Sequence, residues 1–206
     1  MPETLAEPRR LAFSLKAAVA RRALLPALIV ACVMLTYGAQ VSFLPFHAQA
    51  LGANPGLFFL VFALVVAMAR AWTGRLSDWV GRVPVTVAGL ILTAVALVLL
   101  ALARDARDLA LLGALYGLGL GTALPPLVAW CVDVVDATER GRAMATYYIA
   151  LELGIATGAM SSGLLVSAFG VRATFLAPAV DTAIAAAWLL AQRPTPSSKD
   201  SAGTVR

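Results

Sequence analysis

The sequence predicts an all-α membrane protein built from six transmembrane helices. Three observations carry that expectation. Of the 206 residues, 61% are hydrophobic and only 13% are charged, with a mean hydropathy of +0.86, whereas a soluble domain carries about 25% charged residues. Six apolar stretches, at residues 23–46, 56–74, 83–103, 109–132, 143–169 and 173–190, each come near the ~20 residues that cross ~30 Å of hydrocarbon at ~1.5 Å per residue. The third is a sharp asymmetry of positive charge between the two sets of connecting segments. Strands are the rival way to cross a bilayer. Barrel strands would be about half as long and would alternate in polarity, and a lone strand in lipid cannot satisfy its backbone.

The first element is a basic leader, residues 1–22, with Arg9, Arg10, Lys16, Arg21 and Arg22. A short amphipathic stretch at 11–19 or a plain solvated linker both fit it. A cleaved signal peptide fits poorly, because the apolar run that follows exceeds the about 7–15 residues of a signal core. The first span carries Tyr37 and Gln40, three residues apart and so on one helix face, and ends near His47, the single histidine. The second span ends on Arg70 and Gly74, and the third is almost purely apolar.

Polar and small residues gather in the last three spans. The fourth holds Gly113, Gly117 and Gly121 at every fourth position, a spacing that lets another backbone approach one helix face. Tyr116 lies among them. Pro125 and Pro126 then remove two backbone donors and predict a bend or break, and broken helices mark substrate paths in transporters. The fifth repeats the small-residue device with Gly154, Gly158 and Ser162, and carries Tyr148 and Glu152 one turn apart on another face. The sixth contains Asp181, and the tail at 191–206, rich in Pro, Ser, Lys and Asp, predicts disorder.

Glu152 lies nine residues past residue 143, or ~13 Å into the bilayer. Asp181 lies eight past residue 173, or ~12 Å from the opposite face. An ionised carboxylate at such depth costs at least ~2.5–3.5 kcal/mol, so both are candidates for proton coupling. The competing assignment is a hydrogen-bonded structural carboxyl, which for Glu152 would be held by Tyr148. Cys32 and Cys131 fall inside spans and suggest neither a disulfide framework nor a metal site.

Thirteen of the sixteen lysines and arginines lie on the leader, the second-to-third connection, the fourth-to-fifth connection and the tail. Only Arg104, Arg107 and Arg172 lie on the other side. This predicts that both termini are cytoplasmic, in the plasma (inner) membrane. It also explains the net charge of +5 without nucleic acid.

One motif is specific. Gly74, Leu76, Asp78, Gly81 and Arg82 form the pattern G-x-L-x-D-x-x-G-R between the second and third spans. The pattern resembles the signature loop of the major facilitator superfamily of secondary transporters. That resemblance implies a six-helix bundle made of a 3+3 inverted repeat, one of two such bundles in a twelve-helix transporter. The stretch 23–190 resembles the second bundle, so the chain is expected to work as a C-terminal half with a second bundle, either a separate half or another copy. The resemblance makes Arg70, Gly74, Asp78, Gly81 and Arg82 a charged gating loop, with Asp78 set against the start of the fifth helix. It makes Tyr37, Gln40, Tyr116 and Tyr148 candidates for the cavity lining.

No serine–histidine–acid set, zinc spacing or nucleotide loop is present, and no enzyme activity or cofactor is expected. The expected function is movement of a small solute across the lipid membrane by alternating access, with proton coupling and efflux as the finer expectation. A six-helix membrane remnant or interaction module that does not transport is the alternative.

Overall fold

The computed structural model describes residues 19–191. Apart from their edge residues, the expected amphipathic stretch at 11–19, the leader and the tail lie outside the described residues. Six long helices follow in order: α1 (Leu24–Ala50), entered through a 3-10 turn at Arg21–Ala23, α2 (Pro55–Val80), α3 (Arg82–Leu100), α4 (Ala106–Asp133), α5 (Arg140–Phe169), preceded by a 3-10 turn at Ala137–Glu139, and α6 (Ala173–Ala191). All six are long and apolar enough to cross a bilayer, and no strand occurs among the described residues.

The helix ends follow local chemistry. Asn54 caps α2 by accepting from the Gly56 amide at 2.8 Å, with Pro55 in the first turn where its missing N–H costs nothing. Asp105 caps α4 through the Asp108 amide at 2.8 Å. The expected loop between the second and third spans is shorter than the sequence implies. α2 runs on through Gly74, Arg75 and Asp78 to Val80, and only Gly81 separates it from α3. Gly81 has φ 103°, a conformation open to glycine and strained for other residues, which lets the chain reverse within one residue.

Pro125 and Pro126 do not break α4, which continues to Asp133. Each proline leaves one carbonyl of the preceding turn without a helical donor, but the helix path survives the loss. The interruption expected from the sequence is therefore absent.

The helices pair as two interlocked triplets. α1 packs mainly on α5 and α2 mainly on α4, while α3 lies against α4, α6 against α1, and α3 against α6. Exchanging α1–α3 with α4–α6 maps this pattern onto itself, the 3+3 repeat. In lipid no hydrophobic force drives helices together, so close backbone packing must do so. The glycines supply it. A Cβ at Gly113 or Gly117 would lie 2.8 or 2.7 Å from the carbonyl oxygens of Phe58 and Phe62. At Gly154 and Gly158 it would collide with the carbonyls of Ala31 and Leu35, and at Gly38 with that of Ile155. At Gly121 it would lie 2.7 Å from the Ala69 methyl group and 3.2 Å from the Val66 carbonyl oxygen.

Buried hydroxyls are mostly satisfied within their own helices. Thr73, Thr86, Thr93 and Thr182 each donate to the carbonyl four residues earlier, at 2.7–2.9 Å. Between helices, the Thr36 and Tyr116 hydroxyls meet at 2.8 Å.

Candidate functional site

A groove of about 240 Å³ opens between α1, α2, α4 and α5. Met34 and Tyr37 come from α1, Phe62, Val66 and Arg70 from α2, Leu120 and Leu124 from α4, and Tyr147, Leu151 and Ile155 from α5. The Tyr37 and Phe62 rings stack with centroids 5.9 Å apart. Arg70 is the one charged residue of this lining, and Tyr147 lies close enough to feel its field.

Helices α2 and α5 flank the groove and are the least covered. In their most apolar stretches 17% of residues are buried, against 56% in α1, α3 and α4.

A second cluster sits where α2, α3 and α4 end. Arg82 holds Asp78 at 2.6 Å, the Ser77 hydroxyl at 2.8 Å and Asp133 at 3.1 Å. Gly81 turns the chain so that Arg82 begins α3 facing the end of α4. On the same rim Arg142 bonds Glu139 at 2.9 Å and the Val19 carbonyl at 3.0 Å, while the Ala20 amide donates to the Thr146 hydroxyl at 2.9 Å.

The family profile of the Major Facilitator Superfamily matches residues 26–205, which span all six helices. The chain belongs to the Major Facilitator Superfamily. It is a multi-pass integral membrane protein of a family whose work is transmembrane solute transport. No curated protein matches the sequence with significance.

Within this superfamily bundle, the candidates from the sequence fall in different places. Tyr37 lines the groove. Tyr116 does not: it is 1% exposed, and its hydroxyl is held by Thr36 in the core. Gln40 is also fully buried and absent from the groove wall, and both polar atoms of its side chain lack a hydrogen-bond partner. Tyr148 is 56% exposed and packs edge-on against Tyr147. No hydrogen bond joins it to Glu152 among the described residues.

Arg70 stands apart from the charged cluster expected at the loop. It makes no ion pair among the described residues and faces the groove instead. Asp78 pairs with Arg82 and does not reach the start of α5, whose Arg142 is taken by Glu139. A Cβ on Gly74 would meet nothing, so this glycine is not required by packing.

The two carboxylates are separated as well. Glu152 lies on the exposed flank of α5, one residue or about 100° past the groove-lining Leu151. Asp181 lies beside the Cys32 thiol and borders a different groove, with Ser161, Leu164 and Phe169, on the side of α5 and α6.

The sequence reading missed two residues. Tyr147, rather than Tyr148, reaches the groove. Its signal was its spacing of seven residues from Gly154, which puts it on the packed face. Asp133, at the end of α4, is the partner of Arg82.

Proposed function

We propose that the chain acts as the C-terminal six-helix half of a secondary transporter, moving a small solute across the plasma membrane by alternating access. The observation that carries this reading is the groove that α1, α2, α4 and α5 line together. Four helices form one wall of a pathway. A second six-helix bundle, a separate half or another copy of this chain, forms the facing wall, and rocking between the two opens the pathway to either side.

The cluster of Asp78, Arg82 and Asp133 serves as a latch on one access state. Its support is geometric: a single guanidinium spans the ends of three helices. The excess of arginine on this rim supports a cytoplasmic side for it and for both termini. Proton coupling uses Glu152, supported by its depth and its place beside the groove. Asp181 is the second candidate, and its separate groove makes it a carrier outside the solute path. Efflux is the proposed direction, supported by the glycine spacing in α5.

The test is flux across proteoliposomes for a broad panel of small solutes, with the chain alone and together with a candidate first half. Solute movement that requires a second bundle, or a dimer of this chain, supports the reading. A strictly monomeric chain that moves nothing under either condition would leave the non-transporting membrane module in its place.

A further inference from the structure

We infer that the groove takes an organic anion, a carboxylate with an apolar body, bound through Arg70. The inference rests on the transport reading and names the substrate class of the same site. Arg70 lies four residues before Gly74, where the apolar stretch of α2 ends, or ~6 Å along the helix from that point. From there the long side chain carries its charge along the groove wall while its stem stays on apolar surface. Arg70 faces the groove, and no carboxylate lies within ion-pair distance among the described residues.

The acidic side chains on that rim are committed elsewhere. Asp78 and Asp133 hold Arg82, and Glu139 holds Arg142. Glu152 stands on the flank of α5, outside the groove wall. Among the described residues this leaves the Arg70 guanidinium open to an anionic cargo. A guanidinium offers a planar fork that matches a carboxylate with two parallel hydrogen bonds. The phenols of Tyr37 and Tyr147 are the further polar groups of the wall, and each has an O–H to donate to a bound solute. The rest of the wall is aliphatic or aromatic, with Phe62 stacked on Tyr37. That surface suits the apolar body of the solute and offers little to a sugar, whose many hydroxyls would lose their water without replacement.

The experiment compares three probes with one apolar body: 4-phenylbutyrate, its neutral amide and the corresponding primary amine. Binding to the full chain in lipid nanodiscs is read from the shift in melting temperature and from tryptophan fluorescence. The expected result is saturable binding of the carboxylate alone, weakened at least about tenfold by Arg70→Gln. Arg70→Lys, which keeps the charge, recovers part of it, and Tyr147→Phe weakens it less. Equal binding of the amide or amine, no binding of the carboxylate, or indifference to Arg70→Gln in a variant that elutes and melts like the parent overturns the inference. So does loss of carboxylate binding once a second bundle is joined, because a carboxylate of that bundle would then be the partner of Arg70.

Flux separates this inference from the transport reading. Carboxylate bound through Arg70 but never moved, with or without a second bundle, removes the transporter and keeps the anion site. Amine or amide flux untouched by Arg70→Gln does the reverse.

Discussion

Arg82 and Asp133 meet at 3.1 Å, joining the first residue of α3 to the last residue of α4. The same guanidinium holds Asp78, so three helix ends converge on one side chain. The pair is partly exposed, and exposed ion pairs contribute only about 0–1 kcal/mol. Asp133→Asn is therefore expected to lower the melting temperature little while disturbing the balance between access states. A cysteine placed at the partly buried Leu151 in the groove should change its rate of labelling by a water-soluble maleimide severalfold in Asp133→Asn. Unfolding with no change in labelling would mark the cluster as a structural clasp.

The Thr36–Tyr116 contact is buried and joins α1 to α4. Thr36→Val strands the phenol and should cost ~1–3 kcal/mol, whereas Tyr116→Phe should cost about 1 kcal/mol or less. Combining the two should destabilise less than the sum of the single changes. Additive losses in thermal unfolding would show that the hydroxyls do not depend on each other.

Gly158 and Gly163 offer a matched pair on one helix. A methyl group at Gly158 collides with the Leu35 carbonyl, while at Gly163 it meets only the Phe43 ring at 3.9 Å. Gly158→Ala should destabilise by ~1–3 kcal/mol through overpacking. Gly163→Ala should be neutral or stabilising by up to about 1 kcal/mol through helix propensity. Melting curves of the two variants check this, and equal behaviour would refute the seam between α1 and α5.

Gln40 is buried with neither polar atom bonded. Replacing it with Met, of similar length and without the amide, removes an unsatisfied group that costs ~1–3 kcal/mol. Gln40→Met should raise the melting temperature and leave flux in the reconstituted transporter intact. A fall in stability would mean that the amide has a partner in the assembled protein.

Glu152→Gln removes the charge and keeps the shape. If Glu152 carries the proton, solute flux driven by a pH gradient should fall at least about tenfold while exchange of solute across equilibrated vesicles persists. Full gradient-driven flux in this variant would end the proposed coupling role.

Much of the architecture is legible from hydropathy, because a backbone in lipid has few options and each span must be long and apolar. The glycines at 113, 117, 121, 154 and 158 also reveal their packing faces, since spacing alone fixes a helix face. The site is harder to read. Arg75 and Asp78 look like loop residues, yet a helix that extends past the hydrocarbon keeps its hydrogen bonds, so α2 continues to Val80. Gln40 and Tyr116 suggest a cavity because polar groups shun lipid, but a bundle interior also shields them, and Thr36 satisfies the phenol. Arg70 and Asp133 demand knowledge of which ends meet in space, a long-range relation that neither residue's neighbours in sequence encode.

The glycine seams carry one mechanical consequence. Where peptide planes rest directly against one another, there is no intervening layer of side chains to change rotamer and let the helices slip. The pairs α1/α5 and α2/α4 are thus locked as struts, and a tilt imposed on one is handed to its mate without loss. Flexing within the block is suppressed, so the compliance of the working machine resides in whatever touches its outer faces.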